Sequence, residues 1–519
     1  MEFPPITRCD FHLEVYSHGF RVSRFNDDVR RLLVEFCQQF IKWKTNNIRG
    51  RFIREPDCVF AAATRMRDQY FFHRNVLDSF LEFFAYRGIT EKFFKRTEIG
   101  MYIPAKAKMH WKDKNIVRKE HQEDIVQFCE NPIPRTKMVT LQAGQGKTLS
   151  TLFYAHEMQG RLLLIMRPMY MKQWQREILK VFRIAKGDMY VVQGSEALKD
   201  LIAMAQAEKG FNPQFILISN ATYRNYLRTF FDHPHTDEGY GVKPWEFFAL
   251  MEAECLAIDE VHQDFHLNFL IDCMSNLNKE IALSGTMVAD DAFMNRMYKI
   301  KFPPDTYAPR PPLKRYIDVY SVYYRFNRPD LIRYLVQAKY HQATFEASIL
   351  RQPKVLNNYT NMIVELSWHQ WYKHRDYRPG SKLAIYCGRH EMCDAVLAKV
   401  KAKFSDLDCR RKIDVDPEEN LLEADVIVTT LPSAGTARDI PDLGVCIATI
   451  GLSGRQASEQ LIHRLREPKE GSVLHGLTPR FIFLTCRDLQ KHIGYDQDRR
   501  HKLDHVVRNF NALTSTFVI

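Results

Sequence analysis

Residues 143–148 read Ala-Gly-Gln-Gly-Lys-Thr, between an apolar run (Met138-Val-Thr-Leu) and a helical pattern. Gly144 and Gly146 permit a tight loop whose backbone N–H groups face phosphate oxygens. The helix that follows adds partial positive charge at its N-terminus. Lys147 can reach the β- and γ-phosphates, and the Thr148 hydroxyl can bind Mg²⁺. The usual glycine four residues before Gly144 is replaced by Thr140. A second block, Cys255-Leu-Ala-Ile-Asp-Glu-Val-His262, delivers two carboxylates to the end of an apolar strand, where ligands bind in open parallel sheets. Asp259 can hold the cation, Glu260 can orient or deprotonate a water, and His262 can relay the nucleotide state to a neighbouring loop.

Such residues need strand ends to carry them. From about 110 to 312, apolar runs (162–166, 215–219, 255–259, 281–285) alternate with helical stretches, the pattern of a parallel sheet covered on both faces. Pro303, Pro304, Pro309, Pro311 and Pro312 mark a linker. From 313 to 519 the pattern repeats, with strands expected near 382–387, 425–430, 445–450 and 480–485. From Arg487 onward a basic helix with an apolar tail is expected. Residues 1–109 predict a small α+β accessory domain, with strand text at Phe11–Tyr16 and helices at Asp28–Lys44 and Asn75–Tyr86. The expected fold is therefore α/β: two parallel-sheet lobes behind a small α+β N-terminal domain.

The net charge of +12 favours polyanionic partners. Residues 1–110 hold 19 Lys+Arg against 13 Asp+Glu, and 20 of the 64 aromatic residues. Cations there suit phosphates and flat rings suit bases, but clusters such as Phe71-Phe72 and Phe80…Phe83-Phe84 read mostly as core. The 11 cysteines form no CxxC pair and read as reduced thiols of a cytoplasmic protein. The N-terminus lacks a signal-peptide pattern, and no apolar stretch reaches a membrane span. The run Asp232-His-Pro-His-Thr-Asp-Glu238 offers His233, His235 and Asp237 to a metal, yet reads as a solvated loop.

In order and spacing, the blocks across residues 115–470 resemble superfamily 2 helicases of the DExH branch. The layout, a small N-terminal domain before two lobes, is similar to UvsW-type bacteriophage DNA helicases. The resemblance implies two RecA-like lobes, ATP with Mg²⁺ bound between them through Thr148 and Asp259, and a nucleic-acid partner, DNA before RNA. The cell compartment is then cytoplasm, or host cytosol for a viral protein, and a monomer is the default. His121 and Gln122 take the place of the adenine-reading element. Met166–Trp174, including Arg167, Pro168, Gln173 and Trp174, looks like a strand-contacting motif, although Trp174 could equally pack on the sheet. Gln193-Gly194 and Ser219–Arg224, with Thr222, resemble further strand-contacting loops.

Ser284-Gly285-Thr286 matches the motif that couples hydrolysis to strand movement. In the second lobe, Ser433–Asp439 resembles the block whose Ser433 and Thr436 touch nucleic acid and whose Gly435 and Asp439 touch nucleotide. Ala437 stands where a second glycine is usual. Gln460–Arg466 looks like the arginine-finger motif, with Gln460, Arg464 and Arg466 expected at the γ-phosphate. Glu467 stands where the family's last arginine is usual, and His463 where glycine is common. The function implied is an ATP-driven helicase or translocase acting on branched or partly single-stranded DNA in recombination, repair or replication. An RNA helicase, or a nucleotide-gated clamp that grips without unwinding, are the alternatives.

Overall fold

Short apolar runs, buried on both faces, become parallel strands because helices cover them from above and below. The structure is a computed structural model and describes residues 11–48, 51–113, 116–142, 144–207, 210–235, 239–285, 287, 291–373, 379–431, 440–452 and 454–519. Two compact units divide the chain: Met1–Leu141 with Gln145–Pro311, and Gln142–Gly144 with Pro312–Ile519.

In the first unit, six all-parallel strands stand in the order Met189–Val192, Phe215–Ser219, Leu162–Met166, Cys255–Ile258, Glu280–Ser284, Thr136–Thr140. The strand leading into the Gly-Gln-Gly loop lies at one edge. The next strand in sequence, Leu162–Met166, lies three places in, so Cys255–Ile258 and Glu280–Ser284 fill the gap. This jump brings the acidic block and Ser284 beside the Gly-Gln-Gly loop, at the strands' C-terminal ends.

The same unit contains the N-terminal α+β region. Its five-stranded sheet has the order Ala62–Ala63, Gln69–His73, Gly19–Ser23, Phe11–Val15, Phe94–Glu98; only the last pair is parallel. Helices Asp27–Cys37 and Leu77–Ala85 pack against it. Phe20, Phe36, Phe72, Phe80 and Phe84 stack on one another in its core, so most rings here are structural, as expected. One continuous core joins this region to the parallel sheet. A buried ion cluster reinforces the join: Lys301 pairs with Asp272 and, at 2.8 Å, with Glu280, while His73 Nε2 lies 3.1 Å from Asp272.

In the second unit seven strands, again all parallel, take the order Cys409–Lys412, Val426–Thr430, Lys382–Cys387, Leu443–Ala448, Arg480–Cys486, Ile317–Arg325, Val507–Val518.

Two expectations need correction. The helix predicted over Asp28–Lys44 stops at Cys37; after a 3₁₀ turn, Ile41–Ile48 is a strand paired with Arg51–Val59. Aromatic and β-branched residues alternating with polar ones favour the extended form there. The tail after Arg487 is helical only over Gln490–Leu503, and Val507–Val518 is an edge strand beside Ile317–Arg325. Its alternating burial is the period of two that marks a strand. All ten described cysteines are free thiols, eight of them buried. No described helix is long and apolar enough to cross a membrane.

Candidate functional site

The helix Lys147–Met158 starts at Gly146, whose φ of 90° and ψ of 34° lie in the left-handed region; Gly144 has φ 84°. A side chain at 146 would also collide with its surroundings, because an added Cβ would stand 2.6 Å from Gln122 Nε2. Gln122 is buried, and its Oε1 accepts from the Lys119 N–H at 3.0 Å, capping its own helix. His121 Nε2 donates to the Gln145 carbonyl at 3.0 Å. The two residues read from the sequence as adenine readers thus brace the loop at Gln145 and Gly146.

Facing the loop stands the acidic block. Lys147 Nζ lies 3.1 Å from Glu260 Oε1 and passes over Gly285, where an added Cβ would be 3.8 Å from it. Glu260 has φ 47°, a region that non-glycine residues seldom adopt and that clusters at functional sites. Asp259 Oδ1 accepts from the Glu260 N–H at 2.9 Å, and Oδ2 accepts from Trp174 Nε1 at 2.8 Å. Burial, then the neighbouring Glu260 charge, pushes the Asp259 carboxyl up to about 6, against the pull of Lys147 and the Trp174 bond. Two crowded carboxylates with one lysine form a site that a divalent cation would relieve. Thr148, the expected second oxygen ligand, is half-buried in the first helical turn.

Behind this pair, His262 Nδ1 and Ser284 Oγ share a 2.7 Å hydrogen bond, and the Val261 N–H donates to the Leu283 carbonyl at 3.0 Å. Burial depresses His262 to about 4, so it is neutral at pH 7. Glu260 Oε2 lies 3.4 Å from the same ring nitrogen. A continuous chain therefore runs from Lys147 through Glu260 and His262 to Ser284 and Gly285.

A second cluster gathers the loops expected to touch nucleic acid. Arg167 stands at the N-cap of helix Pro168–Val181, and Ser219 caps helix Asn220–Asp232. Gly194 donates its N–H to Thr222 Oγ1 at 2.8 Å, and Ser219 Oγ meets Thr222 Oγ1 at 2.7 Å. Thr222 is buried by these bonds. Gln193 Nε2 reaches Met171 Sδ at 3.2 Å, and Gln173 is half-buried on the same helix. Trp174 does not belong with them. At 1% exposure it is shut inside, and its single donor is committed to Asp259, so its role here is to hold the acidic block.

The residue that sequence reasoning missed is Asp264. It accepts from Arg167 Nε at 2.5 Å, Asn220 Nδ2 at 2.6 Å and Arg224 Nη2 at 2.9 Å. Arg167 also reaches the Gln263 carbonyl at 2.9 Å. The loop that starts at Asp259 thus ends on Arg167 and Arg224, from two of the motifs expected to contact a strand. The available signal was a further acid two residues beyond His262; its partners, 40 and 97 residues away, appear only in three dimensions.

Of the second unit's expected residues, Gln460 lies on helix Arg455–Ile462, and Arg464 and Arg466 on the turn after it. Arg464 is buried at 8% exposure, with its charge acting on Tyr386 and Cys446 of that unit's sheet. Arg466 Nη1 donates to the His463 carbonyl at 3.1 Å. Glu467 pairs with Lys314 at 2.8 Å. Ala143, Asp237, Thr286, Ser433, Gly435, Thr436, Ala437 and Asp439 lie outside the described residues. His235 is paired with Asp68 at 2.6 Å, and the described residues hold no group of three metal-binding side chains.

No family model matches the sequence, and no curated protein does. Among solved structures, the chain is similar to T4 UvsW (11% identity over 97% of this chain and 99% of that one, TM-score 0.32). It is similar to a fragment of a putative type I restriction HsdR subunit from Vibrio vulnificus (12%, 76% and 67%, TM-score 0.47). It is also similar to S. cerevisiae Dbp5 bound to RNA and ADP BeF3 (12%, 77% and 91%, TM-score 0.47).

Proposed function

We propose that this protein is an ATP-driven nucleic-acid motor of the superfamily 2 helicase type, acting on branched or partly single-stranded DNA. One observation carries the reading: Lys147, at the start of a glycine-capped helix, sits 3.1 Å from Glu260, whose neighbour Asp259 is the acid fitted to a metal-bound triphosphate. Replacement of the Lys147–Glu260 pair by a γ-phosphate frees Glu260 to orient the attacking water. Mg²⁺ held by Thr148 and Asp259 would neutralise phosphate charge. His121 and Gln122, assigned to the adenine, also brace the loop. His262 and Ser284 pass the state of Glu260 to the strand end. Arg464 and Arg466 are assigned to the transition-state charge, a role worth about 10³–10⁵ in rate where such an arginine acts.

Asp264 gives the motor its other half. Its carboxylate binds Arg167 and Arg224, so a shift of the acidic loop alters the cations offered to a nucleic-acid backbone. Phosphate contacts of that kind are largely independent of sequence.

The test is ATP turnover and strand displacement with single-stranded, forked and duplex DNA and with RNA, using Lys147→Ala as control. Stimulated turnover with displacement of DNA, abolished in the variant, is expected. Failure of the wild type to displace or translocate on any DNA would overturn the reading. The pairing of Glu467 with Lys314, where the family resemblance expects arginine, favours one second reading, a clamp. A clamp binds nucleic acid normally and shows negligible stimulated turnover.

A further inference from the structure

One element of the first unit has no part in the site above. Ile41–Ile48 and Arg51–Val59 form a separate two-stranded antiparallel ladder that joins neither of the larger sheets of that unit. Eight residues at about 3.4 Å each make an arm roughly 25 Å long. A lone hairpin is marginal in water, so this one depends on its root.

The root is well fixed. Phe60 donates its N–H to the Phe40 carbonyl at 2.8 Å, and its ring packs on Phe265, Phe269 and Phe293. His266 Nε2 donates to the Val59 carbonyl at 2.7 Å, and Lys42 pairs with Asp291 at 2.8 Å. Phe265 and His266 open the helix that follows Asp264 directly. The root of the arm therefore packs on the helix that Asp264 caps.

Charge and ring placement change toward the tip. Lys44 is matched by Glu55 and Asp57 across the ladder. Arg51 and Arg54 face Ile48 and Thr45 instead, and among the described residues neither makes an ion pair. Arg54 lies over the Trp43 ring at 4.9 Å. Between the two arginines, Phe52 is 77% exposed, with the partly exposed Ile53 next to it. An exposed ring with Arg54 on its own face of the ladder and Arg51 on the opposite face is a liability for edge-to-edge association on an arm of two strands. It suits a partner that is both anionic and flat-faced: phosphates for the arginines, a base for the ring.

We propose that this hairpin is a nucleic-acid arm that braces the junction next to the gripped strand, with Arg51 and Arg54 on phosphates and Phe52 stacked on a junction base. The proposal rests on the nucleic-acid reading above, and its test separates the two. The full chain is mixed, without nucleotide, with forks of DNA and of RNA carrying 2-aminopurine at the junction. Wild-type protein should change the fluorescence of the fork it binds. Phe52→Ala should abolish that change and slow unwinding about tenfold, within the 1–3 kcal/mol of one stacked base. Turnover stimulated by a plain single strand should stay within twofold of wild type. Arg51→Ala with Arg54→Ala should lower the slope of log affinity against log salt by about two, one per phosphate contact. Phe52 is too exposed for its loss to unfold the chain, and an unchanged melting temperature checks this. Unaltered fluorescence, salt slope and unwinding in these variants would overturn the arm. So would a Phe52→Ala chain that merely loses self-association in sedimentation. A wild type that binds forks through the arm but shows no stimulated turnover would defeat the motor reading alone.

Discussion

Trp174 Nε1 donates a 2.8 Å hydrogen bond to Asp259 Oδ2, which makes a helix residue 85 positions upstream a direct support of the acid assigned to the metal. The bond fixes one carboxylate oxygen while the Glu260 N–H fixes the other. Trp174→Phe keeps the ring and removes the donor. A hydrogen bond to a charged group contributes about 1.5–3 kcal/mol, so ATP turnover should fall roughly 10- to 100-fold. Single-strand affinity measured by anisotropy without nucleotide should stay within twofold. The reverse pattern would place Trp174 on the strand after all.

Gly146→Ala should cost nucleotide affinity by about tenfold, since it combines positive φ with a Cβ 2.6 Å from Gln122 Nε2. Adding Gln122→Ala relieves the collision but not the φ. Titration with a fluorescent ATP analogue should therefore show partial recovery in the double variant, a coupling that independent sites would lack.

Asp264→Asn removes the charge that engages Arg167 and Arg224. Nucleic-acid affinity in the absence of ATP should rise several-fold, with a steeper salt dependence as both arginines become available to phosphates. Turnover without nucleic acid should change as well, because Asp264 shares a loop with Asp259. An affinity that falls instead would mean that Asp264 positions the arginines rather than competing for them.

Lys301→Met leaves Asp272 and Glu280 buried together without their cation. Removing one partner of a buried ion cluster costs about 3–5 kcal/mol. Glu280 is raised to about 8, by burial first and by Asp272 next, so it already carries a proton at pH 7, and the charge left unpaired is that of Asp272, whose carboxyl burial raises but Lys301 holds low. Urea denaturation should show the loss, and it should shrink in Lys301→Met with Asp272→Asn.

Acid should weaken both units through buried neutral histidines. Burial lowers His18 to about 3, and burial followed by the Arg499 charge lowers His492 to about 4. Both folded values lie below the ordinary 6.5. Their contribution is therefore fully present above pH 6.5 and is lost as pH falls toward 4 and 3. For His492 the shift corresponds to about 3 kcal/mol. Its ring bonds the Tyr340 hydroxyl at 2.8 Å and the Cys486 N–H at 3.3 Å. His492→Gln should flatten the fall of melting temperature between pH 6.5 and 4; an unchanged slope would show that His492 does not carry it.

Local chemistry made the strands and the phosphate loop legible from the sequence. Leu162–Met166, Phe215–Ser219 and Lys382–Cys387 are continuous apolar runs with no polar face, which parallel sheets require. Gly144, Gly146, Lys147 and Thr148 announce a loop and a helix start within five residues. The final strand Val507–Val518 was less legible, because its partner Ile317–Arg325 is brought alongside only by the fold; the switch at Ile41 rests on pairing with the next strand, Arg51–Val59. Spacing along the chain named Asp259, Glu260 and His262 as a group. It could not decide that Trp174 supports Asp259, that Gln122 walls the phosphate loop, or that Asp264 gathers Arg167, Asn220 and Arg224. Those relationships follow from strand order: Leu162–Met166 lies next to both Cys255–Ile258 and Phe215–Ser219, and hydrogen bonds form between neighbours in space.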